Sequence, residues 1–147
     1  MFAFWRPITD FRATADPSWT PLGAPASNSG RGSANFTPPF PAYASGHATF
    51  GGSVFEILRR FYGTDRIAFS FVSDEFNGVT RDNRGNVRPI LTRRFSSLSQ
   101  AEEENGQSRI YLGIHWAFDK TEGIVHGRLV GDYVFENAFQ PLGRGRR

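Results

Sequence analysis

The 147-residue sequence predicts a single, mainly α-helical domain with long irregular loops. Its length suits one hydrophobic core. Apolar residues make up 39% of the chain, and 15 phenylalanines supply most of the aromatic bulk, which is a globular composition. Three stretches carry helical patterns, and segments rich in proline, glycine and polar residues separate them.

The first long segment, residues 16–44, is predicted to be an irregular loop. It contains six prolines, and prolines this dense prevent a regular helix or a central strand. Four aromatic residues within it, Trp19, Phe36, Phe40 and Tyr43, indicate that the loop packs onto the protein and is not a free linker. We expect this proline-rich loop to form the wall of a site.

A first helix is predicted to begin at Ser45 and to end at "YGTD", residues 62–65. Apolar residues recur along one face of it, at Phe50, Val54, Ile57, Leu58 and Phe61. Residues 66–94 are ambiguous. "RIAFSFV" fits a continuing helix, whereas "NGVTRDNRGNVRP" is loop and turn, and a short strand pair around that turn is the alternative.

Two further helices are predicted, one from Ser97 to about Tyr111 and one after Asp119 to about Phe139. Three glycines recur at every fourth residue of the last helix, at Gly123, Gly127 and Gly131. Each interior glycine costs a helix about 1 kcal/mol relative to alanine. Three in register therefore predict tight packing against a neighbouring helix.

The charge and composition exclude several classes of function. The net charge of +3 rests on 16 arginines and a single lysine, Lys120, and the basic residues are scattered apart from a terminal "GRGRR". We therefore predict no nucleic-acid interface, and a flexible basic tail over residues 140–147. The chain has no cysteine, no apolar run near the roughly 20 residues of a membrane span, and no visible signal peptide. Its compartment stays open.

Two short stretches carry the residues suited to chemistry. "AYASGHATF" places Ser45, Gly46 and His47 at a helix start, where the serine is either an ordinary N-cap or part of an anion site. In "SRIYLGIHWAFD", His115 precedes a helix and Asp119 follows it by four residues. Such an aspartate can fix the tautomer of the ring and leave the other nitrogen free to attack or to bind a metal.

These two stretches resemble the second and third motifs of the vanadium-dependent haloperoxidases and of the wider type 2 phosphatidic acid phosphatase superfamily. The family motifs read Pro-Ser-Gly-His and then Ser-Arg, five residues, His, three residues, Asp. They stand here as Ala44-Ser45-Gly46-His47 and as Ser108-Arg109, His115 and Asp119. The first motif, Lys, six residues and Arg-Pro, is present only as Arg6-Pro7. The resemblance covers about residues 2–137 and implies a helical-bundle core of the haloperoxidase and acid phosphatase type.

The resemblance also implies a vanadate cofactor and a role for each matching residue. His115 would bind vanadium as its only protein ligand, Asp119 would orient His115, and His47 would act as acid and base. The oxyanion donors would be Arg6, Ser45, Gly46 and Arg109. Phe40 matches an aromatic position that flanks the site in chloroperoxidases and would form the wall of the halide pocket. The implied reaction is oxidation of halide by hydrogen peroxide to hypohalous acid, with an organic acceptor as a further small-molecule substrate.

Two departures from the family pattern leave alternatives open. Ala44 replaces the usual proline, and the motif lysine would fall at position −1, so we expect a partial domain that is incomplete at its N-terminus. Lys120 does not fill that position. The alternatives are an acid phosphatase that uses His115 as nucleophile, and a non-catalytic remnant that binds oxyanions. The glycine-bearing helix face also leaves room for a homo-oligomer.

Overall fold

The computed structural model describes residues 4–19, 38, 40–82 and 85–140. Four helices and two strands occur in this part of the chain: α1 (Pro7–Thr14), α2 (Gly46–Tyr62), β1 (Phe69–Asn77), β2 (Ile90–Phe95), α3 (Leu98–Tyr111) and α4 (Ala117–Asn137). The prediction of a mainly α-helical, bundle-type domain is confirmed.

The ends of the helices follow from local chemistry. Helix α2 ends at Gly63, which adopts the left-handed conformation with φ of 66° that glycine tolerates best. Helix α3 begins after Ser97, whose side chain accepts a hydrogen bond from the Gln100 amide. Helix α4 begins at Ala117, three residues before the predicted start after Asp119. Helix α1, which has a proline at its first position, was not predicted from the sequence.

The ambiguous stretch between α2 and α3 is a β-hairpin. Strands β1 and β2 pair antiparallel, with Phe69 opposite Phe95 and Val72 opposite Thr92. The strand-pair alternative is therefore confirmed, and a continuing helix over "RIAFSFV" is wrong. The left-handed Gly63 stops α2, and the alternating aromatic residues that follow suit the two faces of a strand.

The glycines of α4 lie against α2, as their spacing predicts. A Cβ atom on Gly127 would overlap the carbonyl oxygen of Thr49, and one on Gly123 would lie 2.8 Å from the carbonyl oxygen of Ser45. The contact is reciprocal, because a Cβ on Gly52 of α2 would lie 2.5 Å from the carbonyl oxygen of Ile124. Two helix backbones approach this closely only where neither presents a side chain.

The apolar stripe of α2 does not face this contact. Phe50 and Phe61 are 75% and 71% exposed, and the buried residues of α2 are Ala48 and Gly52. The periodicity of large apolar residues predicts the helix correctly. It does not indicate the packed face, because that face is selected by small residues.

A buried carboxylate joins three helices. Glu102 of α3 is only 1% exposed and pairs with Arg59 of α2 at 3.0 Å and with Arg128 of α4. Arg59 also pairs with Glu56 at 2.9 Å. A carboxylate this buried requires such partners, since an unpaired buried charge is strongly unfavourable.

Most of the predicted proline-rich loop and of the basic tail lies outside the described residues. Of the loop, residues 16–19, 38 and 40–44 are described, so Phe36 is not, and residues 141–147 of the tail are not. Trp19 packs on Phe11 with ring centroids 5.1 Å apart. None of the described helices combines the length and the hydropathy that crossing a bilayer requires.

Candidate oxyanion site

The predicted site residues lie at one end of the bundle, where α1, α2 and α4 begin and α3 ends. Main-chain hydrogen bonds hold these ends together. The Ile8 amide donates to the carbonyl of Gly113 at 2.8 Å, and the Ser45 amide donates to the carbonyl of Asp119 at 3.4 Å. Segments that are far apart in sequence are thereby fixed around a common centre.

His115 is at this centre, and its two ring nitrogens have different partners. Nδ1 lies 3.2 Å from Oδ2 of Asp119, and Nε2 lies 3.3 Å from Nη1 of Arg6. A guanidinium can only donate, so Nε2 carries the lone pair and Nδ1 carries the proton donated to Asp119. Both His115 and Asp119 are buried, and the second oxygen of Asp119, Oδ1, is buried without a partner.

Arg6 is anchored by main-chain carbonyls. Its Nη1 donates to the carbonyl of Ile114 at 2.7 Å and its Nε to that of Phe40 at 3.1 Å. The ring of Phe40 lies against the guanidinium, with its centroid 4.7 Å from Cζ. Burial lowers the pKa of Arg6, and the nearby charge of Asp119 partly opposes that shift. The structure thus places Phe40 beside the predicted oxyanion donors.

Arg109 contributes a second, half-buried cation from the last turn of α3. Its Nε is buried and has no hydrogen-bond partner, and burial lowers the pKa of the guanidinium. Its carbonyl accepts from the amides of Ile114 and His115, both at 3.3 Å, which folds the α3–α4 loop back onto the residue. Across the described ranges, neither Arg109 nor Arg6 forms an ion pair with a carboxylate.

Ser45 occupies the N-cap position of α2 but does not cap it. Its side chain makes no capping hydrogen bond, and its Oγ is fully buried without a partner. Next to it, a Cβ on Gly46 would meet no atom within 4 Å, so there is open space at the start of the helix. An unused hydroxyl beside the positive end of a 17-residue helix favours an anion site over an ordinary cap.

His47 lies on the exposed side of the cluster. Partial desolvation of its ring lowers its pKa, and the neighbouring Arg109 and then His115 lower it further. The imidazole is consequently neutral at pH 7 and can accept a proton. The effect of Arg109 and His115 on His47 places the two predicted histidines in one electrostatic environment.

Lys120 does not take part in this cluster. Its ammonium group contacts the carboxylate of Glu103 and lies 3.5 Å from Oε1 of Gln107, both on α3. The prediction that Lys120 does not replace the motif lysine is consistent with this placement. Sequence reasoning missed Asn105, which contacts the backbone of His47. Its position one helical turn before Arg109 was the available signal.

The donor set fits a tetrahedral oxyanion. The cluster holds two guanidinium groups without carboxylate partners, that of Arg6 buried and that of Arg109 half-buried. A buried hydroxyl without a partner and a helix N-terminus add further O–H and N–H donors. Buried polar groups normally have partners, so unused donors at one place indicate a missing acceptor. His115 adds a single nitrogen lone pair at the same place. The residues present therefore fit vanadate, or phosphate in its stead.

The helical bundle and this cluster define a class of protein, the helical-bundle domains of the vanadium-dependent haloperoxidase fold. A bacterial vanadium-dependent iodoperoxidase superimposes with a TM-score of 0.61 at 33% identity, covering 89% of this chain and 26% of the other. The apo and holo forms of a bacterial vanadium-dependent chloroperoxidase give TM-scores of 0.64, at 16% and 17% identity. They cover 89% of this chain and 30% and 29% of theirs, and at those identities they show the fold alone.

The family follows from the sequence comparisons. The family model of the vanadium chloroperoxidase (VCPO) second helical-bundle domain matches residues 2–144, so the chain belongs to this family. It is also 44% identical to the vanadium chloroperoxidase of Curvularia inaequalis over 147 aligned residues, which cover 80% of this chain and 24% of that protein. The chain thus spans about a quarter of the length of the relatives it matches.

Proposed function

We propose that this chain supplies the vanadate-binding site of a haloperoxidase, which oxidises halide with hydrogen peroxide to hypohalous acid. One observation carries the proposal: the ring of His115, fixed by Asp119, presents its Nε2 lone pair beside Arg6, in a cluster where the buried Ser45 Oγ and Arg109 Nε have no acceptor. Membership of the vanadium chloroperoxidase family and the 44% identity to such an enzyme support it.

Each residue has a role that its surroundings suit. His115 would hold the cofactor through Nε2, while Asp119 keeps the proton on Nδ1 and fixes the orientation of the ring. Arg6 and Arg109 would bind the cofactor oxygens through planar, permanently charged donors. Ser45 Oγ and the Gly46 amide would donate to the remaining oxygens. Bound vanadate supplies Lewis acidity, which polarises peroxide without a change in metal oxidation state.

His47 would move the proton. Its imidazole is neutral at pH 7 because its pKa is lowered, so it is able to take a proton from hydrogen peroxide as the oxidant binds. The same group would return a proton to the departing oxygen when halide is oxidised. Phe40 covers the guanidinium of Arg6 and would limit water on that side of the site.

The test is a halogenation assay on the 147-residue chain with orthovanadate, hydrogen peroxide and bromide, followed through bromination of a phenolic dye. We expect activity in the wild type and a loss of at least about 100-fold in His115→Ala, since even an outer-shell partner of a metal site contributes about 10–100-fold. His126→Ala is the matched control, because His126 is an exposed histidine of α4. That variant should retain full activity.

A phosphate-ester assay on the same samples distinguishes the alternatives. Ester hydrolysis that depends on His115, without bromination, would identify an acid phosphatase instead. Absence of both activities together with absence of vanadate binding would leave a non-catalytic remnant and would overturn the proposal.

A further inference from the structure

Asn105 connects two helices that carry the candidate site. It lies on α3, one helical turn before Arg109, and its Nδ2 donates a hydrogen bond of 2.8 Å to the carbonyl oxygen of His47. That carbonyl belongs to the first turn of α2, next to Ser45 and Gly46. Since residues four apart lie on the same side of a helix, Asn105 and Arg109 project towards the same region.

A glycine makes this contact sterically allowed. A Cβ atom on Gly51 would lie 2.5 Å from Nδ2 of Asn105, a separation that real Cβ atoms do not show. Any side chain at position 51 would therefore displace the amide from the His47 carbonyl. Glycine and asparagine are both poor helix formers, yet Gly51 lies inside α2 and Asn105 inside α3. Both residues are needed for the hydrogen bond between Asn105 and the His47 carbonyl.

We infer that Asn105 is a positioning residue of the oxyanion site, which holds the first turn of α2 against α3 so that Ser45, Gly46 and His47 face Arg109. The inference rests on the proposed function, because it assigns Asn105 to the binding of the same oxyanion. Donors carried by two separate helices bind one tetrahedral anion together only if the helices keep a fixed relative position.

The alternative is that the hydrogen bond serves only to pack α2 on α3. The two alternatives predict different effects of removing the Asn105 side chain on melting temperature and on anion affinity. A packing role lowers the melting temperature and leaves anion affinity intact in the folded protein. A positioning role weakens the binding of anions at temperatures where the protein is fully folded.

The experiment compares orthovanadate and inorganic phosphate affinities by calorimetry, alongside melting temperatures without ligand. The variants are Asn105→Ala, the near-isosteric Asn105→Asp, Gly51→Ala and the double variant Gly51→Ala/Asn105→Ala. The matched control is Asn137→Ala, because the Asn137 amide also donates to a helix carbonyl at 2.8 Å, on Tyr133 near the end of α4.

We expect each single variant at positions 51 and 105 to weaken orthovanadate binding by about 10–100-fold, the range for partners that orient metal-site ligands. The double variant should bind orthovanadate about as weakly as the single variant with the larger loss, since both substitutions remove the same hydrogen bond, from Asn105 to the His47 carbonyl. Asn137→Ala should bind like the wild type. Equal affinity in the wild type and Asn105→Ala, or fully additive losses in the double variant, would overturn the inference.

Amide NMR spectra of the ligand-free protein distinguish a failure of the inference from a failure of the proposed function. Asn105→Ala and Gly51→Ala should shift the same amide signals, those of Ser45, Gly46 and His47, and Asn137→Ala should not. If the wild type binds neither anion but this pattern appears, the proposed function fails while the positioning of the turn by Asn105 stands. If the two variants perturb unrelated signals, the inference is wrong.

Discussion

At the scale of single residues, the site depends on the two different environments of the His115 ring. Asp119 lies 3.2 Å from Nδ1, which fixes the tautomer, and Nε2 faces the cation of Arg6 at 3.3 Å. Since a guanidinium can only donate, Nε2 carries the lone pair of the ring, and this lone pair lies among the oxyanion donors. Ser45 and Arg109 surround His115 with donors that have no other acceptor.

The Asp119 carboxylate is expected to control the affinity of His115 for its ligand. Asp119→Asn keeps the shape of the side chain but replaces the charged acceptor of the Nδ1 proton with a neutral amide, which holds the ring less firmly in this tautomer and orientation. Orthovanadate affinity should fall by about 10–100-fold. Calorimetric titration checks this, with Asp132→Asn as the control, because Asp132 lies on the same helix in an exposed pair with Arg60. Wild-type affinity in Asp119→Asn would contradict the role given to it.

The lowered pKa of His47 predicts a pH-dependent stability. In the unfolded chain a histidine titrates near its ordinary pKa of about 6.5, whereas in the fold desolvation, Arg109 and His115 hold the pKa lower. The unfolded state therefore binds more protons in this window, and the contribution of His47 to the free energy of unfolding is lost as the pH falls from above 6.5 through the folded-state pKa.

Urea denaturation of the wild type and His47→Gln at pH 7.5, 6.5 and 5.5 measures this effect. The difference in the free energy of unfolding, wild type minus variant, should decrease towards pH 5.5. A difference that is constant, or that grows as the pH falls, would show that the folded state does not disfavour the imidazolium.

At the scale of secondary structure elements, the contact between α2 and α4 positions the site. The two helices begin at the same end of the bundle, and the Ser45 amide reaches the Asp119 carbonyl there at 3.4 Å. This requires the backbones to approach closely along the contact, which Gly52 on one side and Gly123, Gly127 and Gly131 on the other make possible. The helix propensity lost at these glycines is thus offset by close packing beneath the site.

Gly127→Ala should destabilise the fold, although alanine favours an isolated helix by about 1 kcal/mol. The added Cβ would overlap the Thr49 carbonyl, a main-chain atom that cannot rotate away. We expect a loss of about 3 kcal/mol in the free energy of unfolding, at the upper end for overpacked cores. Urea denaturation measures it, with Val125→Ala as the control because Val125 is exposed on α4. A neutral or stabilising effect would contradict the close contact.

At the scale of the whole molecule, the sequence predicted the helical-bundle class correctly but not the packed face of α2. The spacing of Arg109, His115 and Asp119 is local, so the fold keeps these residues together at the junction of α3 and α4, and their role in binding an oxyanion stays a prediction. The packed face of α2 could not be predicted from its apolar periodicity, since small residues and not Phe50 or Phe61 make the helix contact.

Long-range contacts account for the remaining differences between prediction and structure. Glu102 reads as a surface residue in a polar stretch, yet it is buried by Arg59 and Arg128, which come from two other helices. Asn105 likewise forms its hydrogen bond to the His47 carbonyl only because α3 lies against α2. No local pattern encodes such pairings, because each depends on where distant elements meet.

We expect vanadate to bind at a single site formed by Arg6, Ser45, Gly46, Arg109 and His115. The most direct measurement is a crystal structure of the chain soaked with orthovanadate, with the vanadium located by anomalous scattering. We expect one vanadium bonded to Nε2 of His115, with its oxygens facing the two guanidinium groups and the start of α2. Vanadium bound elsewhere, or a site without vanadium at saturating orthovanadate, would contradict the account.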